Sequence, residues 1–441
     1  MSAQLIICLI IFLLTCICYI TRVRSLATIS MASVAALTFS GCLTAEEALG
    51  FFSNSTVIMV GAMSVVAAGF GRTRFCTKLA ASISRLAKGN LSKVLLLYCI
   101  VTMLLGQMIQ SPVVVFEIVA PLCFAFADSE GISRSKIAMA LGVVAISTCC
   151  TLPIGNGATQ AAEFNSFIAA FYDRIEGFSG TMPVMGFFDP MKGRLPMLIF
   201  SVFYCAFVMP RFCPDRAVEN DINRKDHVEG ERQPMSVLSE IAGIVIFFAT
   251  ALALMFQANI LSFLAVWQIC LAGAVCMVIF RVLQPGEAVR AIPLSMLLLI
   301  VGTLAMAGAL SATGAGDLIG GFITDFTTAV KINNKYIIGL IFFLLSFLLA
   351  QFMSNRGAML IFYPIAIAAC HKISGDPRGL LILIEAGALT AFMTPMPTAA
   401  VPDMMKAGGY SQKDLLKGGW LFSVLSCAVC VLWIMSVFPV K

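Results

Sequence analysis

The sequence predicts an all-α polytopic membrane protein of two inverted-topology repeats, each with a re-entrant hairpin and a broken transmembrane helix. Three observations predict it. Of 441 residues, 60% are hydrophobic and 12% charged, with a mean hydropathy of +0.96, whereas a soluble protein averages about 25% charged residues. Long apolar segments fill most of the chain, and the polar breaks inside them recur in one order in both halves. Lys and Arg gather in alternate connections, as cytoplasmic loops require.

Apolar segments long enough for helices lie at about 4–21, 26–42, 54–71, 94–127, 137–171, 195–210, 236–255, 259–280, 291–312, 336–370, 378–405 and 419–438. The first could pass for a secretory leader. It lacks a basic start and a small-residue cleavage site, and its charges follow the apolar run, so it reads as a transmembrane helix. A simple span needs about 20 residues. Segments 94–127 and 336–370 exceed that and are broken by "QSPV" and "SNRG"; 137–171 and 378–405 are broken by "TLPIGNGAT" and "TPMPTAAVP". Such breaks at bilayer depth leave backbone groups unpaired unless they line an enclosed or watery cavity.

The halves are 1–212 and 236–441, joined by a charged cytoplasmic linker, 213–235. "QSPVVVFEIVAP" (110–121) aligns with "MSNRGAMLIFYP" (353–364), matching Ser111 to Ser354 and Pro121 to Pro364. "DPMKG" (189–193) aligns with "DLLKG" (414–418). If both Ser-interrupted segments return to their own side, each half crosses five times and the second is inverted. With the basic stretch 72–93 inside, the inside loops hold 20 of the 29 Lys and Arg, the outside segments hold 8, and Arg356 is left over. This places both termini outside, in a cytoplasmic (inner) membrane. The stretch 72–93 reads as an amphipathic helix on the membrane face, with Phe75, Leu79, Ile83 and Leu86 on one side.

Inverted repeats whose broken helices meet at the midplane are the architecture of secondary transporters. Helix N-termini there favour anions, and exposed carbonyls favour cations. An enzyme finds no support: there is no GxSxG, HExxH or Walker A sequence, and "TGAGDLIGG" follows an apolar helix instead of opening a βαβ unit. Most of the 16 cysteines lie in apolar runs, Cys149 and Cys150 are adjacent and not spaced as CxxC, and the histidines are His227 and His371. No metal centre, cofactor or nucleic-acid tail is expected.

"LTAEEALGFFSNSTVIMVGAMSVVAAGFGRT" (43–73) and "VGTLAMAGALSATGAGDL" (301–318) resemble recurrent segments of the divalent anion/sodium symporter family, within the ion transporter superfamily. "GGYSQKDLLKGG" (408–419) is similar to that family's approach to its last helix. Each half of the family carries a Ser-Asn-Thr triplet at a hairpin tip, a proline ten residues beyond the Ser, and a Gly/Thr/Pro-rich break in the next helix. The resemblance covers essentially the whole chain. It implies a homodimer that moves small dianions, di- or tricarboxylates or sulfate, by an elevator-like motion through the bilayer.

Carried over by position, the triplets are Ser111-Pro112-Val113 and Ser354-Asn355-Arg356. With the breaks they imply a substrate site of Ser111, Pro112, Val113, Asn156, Gly157, Thr159, Ser354, Asn355, Arg356, Thr394, Pro395 and Thr398. Sodium would sit at Ser111, Gly155, Asn156, Ser354 and Asn355. Pro112 and Val113 remove oxygen ligands and Arg356 replaces a Thr, which counts against sodium but not against an anion.

A charge at bilayer depth costs about 2.5–3.5 kcal/mol on insertion scales, so Arg356 needs a reason. Three are open: it grips a substrate carboxylate or stands in for a cation, it pairs with an intramembrane acid such as Glu117 or Glu385, or it snorkels. Glu117 and Glu385, deep in apolar runs, are candidate proton carriers if protons replace sodium. Glu163 and Asp403 lie nearer helix ends and read as solvated. A cation/proton antiporter and an anion channel are the competing functions.

Overall fold

The computed structural model describes residues 3–21, 24–75, 91–109, 111–129, 131–173, 175, 181–216, 236–256, 263–315 and 334–440. Among these the protein is all-α, without strands. Most of the basic stretch 72–93 and of the linker 213–235 lies outside the described residues.

The first half runs α1 (Ala3–Thr21), α2 (Leu26–Phe39), α3 (Ala45–Phe52), α4 (Ser55–Arg72), α5 (Leu91–Met108), α6 (Pro112–Ser129), α7 (Ala138–Ser147), α8 (Gln160–Tyr172), α9 (Asp189–Phe207) and α10 (Met209–Phe212). The second runs α11 (Val237–Met255), α12 (Val266–Ile279), α13 (Pro285–Ala291), α14 (Leu294–Ala312), α15 (Lys335–Ala350), α16 (Asn355–Lys372), α17 (Arg378–Leu389), α18 (Ala400–Gly408) and α19 (Gln412–Val437). Short 3₁₀ turns cover Arg134–Lys136 and Gly155–Thr159.

Helix starts follow the side chains that can satisfy free N–H groups. Ser25 caps α2, Asn54 caps α4, and Thr44 with Glu47 forms a capping box on α3. The last helix of each half starts ahead of its apolar run for the same reason. Asp189 accepts from the Gly186 N–H at 2.8 Å and Pro190 fixes the first turn, so α9 begins at 189, not 195. Ser411 and Asp414 box the start of α19, which begins at 412, not 419. Arg194, counted from sequence among the outside charges, therefore lies one turn inside a helix.

Both long segments are helix–break–helix: α5 and α6 pack together, as do α15 and α16. Pro121 and Pro364 sit inside their second arms. Both Gly/Pro-rich segments split a helix, α7 from α8 and α17 from α18. Packing is reciprocal between the halves. The helix α2 lies on α14 while α4 lies on α12, and the terminal helices α9 and α19 lie on each other. The α2–α14 contact is close: a Cβ on Gly302 would lie 2.6 Å from the Ser30 Cβ. Small residues are what let helices approach without a hydrophobic drive between them.

Ala45–Arg72, Val237–Leu254, Leu294–Ala312 and Gln412–Val437 are long and apolar enough to cross a membrane. The outer faces of α1 (Ile10, Leu13, Leu14), α11 (Leu238, Ile241, Val245) and α19 (Val424, Leu432) expose large apolar side chains. Such continuous apolar surface is what lipid contact demands.

Candidate functional site

The four breaks converge. A cavity of about 410 Å³ is lined by Ser111 and Pro112 from the first hairpin tip and by Ser354, Asn355 and Arg356 from the second. The first helix break adds Cys149, Cys150, Asn156 and Thr159, and the second adds Leu389, Pro397 and Thr398. Helices α6, α8, α16 and α18 thus direct N-terminal ends at it, while α7 and α17 bring C-terminal ends. It offers amides to an anion and carbonyls to a cation.

Each hairpin is tied to the break beside it. The Gln107 side chain donates to the Thr148 carbonyl at 2.8 Å and accepts from the Thr151 and Leu152 N–H groups at 2.8 Å each. One buried amide thereby satisfies three backbone groups that a broken helix leaves free. In the other half the Asn355 N–H donates to the Pro397 carbonyl at 3.0 Å, and the Thr394 hydroxyl donates to the Gln351 carbonyl. The first break is compact: a Cβ on Gly157 would lie 2.0 Å from the Leu152 carbonyl oxygen, so only glycine fits. Within it Cys150 takes φ +52°, left-handed backbone uncommon outside glycine.

Two ion pairs bound the cavity. Arg356 on α16 donates to Glu163, in the first turn of α8. Glu385 on α17 accepts from Arg194 of α9 at 2.9 Å and from the Gln160 side chain on the same oxygen. Arg194 is wholly buried and also donates to the carbonyls of Cys149 (2.9 Å) and Ser147 (3.3 Å), the C-terminal end of α7. A cation there meets the half-negative end of the helix. Five buried side-chain atoms of lining residues have no hydrogen-bond partner among the described residues: Asn156 Oδ1, Gln160 Oε1, Asn355 Oδ1, Arg356 Nε and Glu385 Oε2. Buried polar atoms are normally satisfied, so these five are exceptions gathered around one cavity.

Of the positions expected from sequence, Ser111, Pro112, Asn156, Thr159, Ser354, Asn355, Arg356, Thr398 and Glu385 come together around the cavity. Val113, Gly155, Gly157, Thr394 and Pro395 flank it without lining it; Gly157 is a packing residue and Pro395 is exposed. Three expectations are corrected. Arg356 pairs with Glu163, and with neither Glu117 nor Glu385. Glu163 is buried, not solvated. Glu117 is exposed on α6 and stands outside the cavity wall. Arg194 was not foreseen: it stands one residue ahead of the apolar run 195–210 and directly after the "DPMKG" match. A second cavity, of about 420 Å³, lies beyond Ser111, with the Arg72–Glu287 ion pair in its wall.

The model of the citrate transporter family (CitMHS) matches residues 10–380. Transporters of Escherichia coli K12 (YfbS) and Synechocystis (sll0640) are 30% and 25% identical over 160 and 170 residues, 36% and 38% of this chain. The matched part spans 26% and 27% of those relatives, both described as uncharacterized transporters. The solved YdaH transporter of Alcanivorax borkumensis, described as having an unusual topology, superposes with a TM-score of 0.59 at 14% identity. That match covers 89% of this chain and 86% of the other, a likeness of fold. With a family match across most of its length and apolar helices long enough to span a bilayer, the chain belongs to the citrate transporter family, as an integral membrane protein.

Proposed function

We propose that the protein carries a small di- or tricarboxylate across the cytoplasmic membrane, binding it where the hairpin tips and helix breaks meet. The observation that carries this reading is Arg356 at a hairpin tip, in the wall of a cavity into which helix N-termini also open. A guanidinium is permanently charged and grips a carboxylate through parallel N–H donors. The Nε of Arg356 has no partner among the described residues, so the group that already holds Glu163 keeps an unused donor. The volume suits the reading, since small-ligand sites run from about 300 to 1,000 Å³.

Charge counting bears on the coupling. Arg194 and Arg356 balance Glu163 and Glu385, so the site is neutral as it stands. A dianion would bring two uncompensated charges to bilayer depth, where charge is costly. Protons on Glu163 and Glu385 would cancel them, and protonating Glu163 would also release Arg356 to the substrate. We therefore propose protons over sodium as the coupling ion. Support for sodium is weaker, since the first tip offers Pro112 and Val113, whose side chains carry no oxygen ligand. An elevator-like motion of a homodimer, with both termini outside, completes the proposal.

The test is uptake of labelled succinate and citrate into proteoliposomes, under a proton gradient or a sodium gradient, for wild type and Arg356→Ala. Uptake that follows the proton gradient and falls at least a hundredfold in the variant is expected. Sodium-driven uptake that survives Arg356→Ala would overturn both the site and the coupling. Proton flux driven by a cation gradient, with no carboxylate uptake, would make the protein a cation/proton antiporter.

A further inference from the structure

We propose that Cys149 and Cys150 form a dithiol site in the cavity wall that takes one soft three-coordinate centre, of the monosubstituted trivalent arsenical class, and that its occupation stops transport. Both residues line the cavity, and their sulfurs stand 3.5 Å apart. The backbone on each side of the pair is pinned by a different helix. The Cys150 N–H donates to the Gly106 carbonyl at 3.2 Å, and the Cys149 carbonyl accepts from Arg194 at 2.9 Å. Cys150 keeps its left-handed φ of +52° within this clamp. Backbone held in a sparsely populated region marks a place where the surroundings over-determine the geometry.

The pair is poorly suited to closing on itself. Consecutive Cα atoms are about 3.8 Å apart across a trans peptide, while disulfides usually need about 4.4–6.8 Å. A disulfide here would be strained and readily reduced, so the pair persists as two thiols. An arsonous acid, R–As(OH)₂, requires two. Two As–O bonds break, two As–S bonds form, and each thiol proton leaves with a hydroxyl as water. Arsenic stays trivalent, and no oxidant is needed. Once the first sulfur is bonded the second is already adjacent, so closure is intramolecular and favoured by effective concentration. The organic substituent then projects into a space of about 410 Å³ beside Asn156 and Thr159. Only the inhibitory consequence rests on this cavity being the transport site; the binding does not.

The experiment treats purified full-length protein with phenylarsine oxide and reads two things: the mass and position of the adduct, and carboxylate uptake after reconstitution. One adduct per chain is expected, mapped to the peptide holding residues 149–150 and absent from Cys149→Ser and Cys150→Ser. Uptake should be lost and then restored by 2,3-dimercaptopropanol, but not by an equal thiol concentration of 2-mercaptoethanol. Either Ser variant should need at least ten times more reagent. An adduct that maps elsewhere in wild type, persists in the Ser variants, or comes off equally with the monothiol overturns the proposal. Should wild type take up no carboxylate, the transport reading fails, and the adduct map still decides whether the dithiol site exists.

Discussion

Replacing Arg194 with Met tests the least expected feature of the molecule. The guanidinium is completely buried and serves three acceptors: Glu385 Oε1 at 2.9 Å, the Cys149 carbonyl at 2.9 Å and the Ser147 carbonyl at 3.3 Å. Met fills similar volume without charge. The variant leaves Glu385 4% exposed, with Gln160 as its remaining donor, and removes a donor from the broken end of α7. Breaking a buried ion pair from one side costs about 3–5 kcal/mol, because the other charge stays behind. Unfolding entropy near 60 °C is about 2.1 cal/mol/K per residue, or roughly 0.9 kcal/mol/K over this chain. The expected fall in Tm is therefore about 3–5 °C.

The companion variant is Arg194→Met with Glu385→Leu. Removing both charges abolishes the stranded carboxylate, and apolar replacement of a buried pair is often close to neutral. The orphaned carbonyls still cost about 1–3 kcal/mol. The double variant should melt about 2 °C above Arg194→Met alone. Both are measured by thermal unfolding of the purified protein in detergent. A single variant within 1 °C of wild type would refute the reasoning, as would a double variant whose loss equals the sum of the singles. Either result would mean that Glu385 does not depend on Arg194 for its charge.

Two further outcomes follow from the same geometry, beside the loss of uptake expected for Arg356→Ala. Gly157→Ala puts a Cβ 2.0 Å from the Leu152 carbonyl oxygen; about 2 kcal/mol or more should be lost, seen as poor yield and a lowered Tm. Glu117→Gln changes an exposed side chain that stands outside the cavity wall, and uptake should stay within twofold of wild type across the pH range. A proton-coupling role for Glu117 would instead flatten the pH dependence.

The sequence by itself determined what local chemistry controls. Composition placed the chain in lipid, and breaks with Gly, Pro, Ser and Asn cannot continue a helix wherever the chain folds. The two Gly/Pro-rich interruptions fall at "TLPIGNGAT" and "TPMPTAAVP", as read, while the other two end at Ser111 and Ser354, so that Pro112 and Asn355 already open the next helix. Arg356 was conspicuous because a permanent charge in an apolar run needs a partner. Which partner was a tertiary matter. Glu163 lies 193 residues away in sequence, and in a membrane protein the lipid-facing and protein-facing sides of a helix are both apolar. Nothing in the flanking residues separates exposed Glu117 from buried Glu385. Arg194 escaped for a related reason. Hydropathy marks where a helix becomes apolar, whereas Asp189 and Pro190 set where it begins, nearly two turns earlier. Only the packing of α9 against α19 and α7 makes that polar first turn part of the interior.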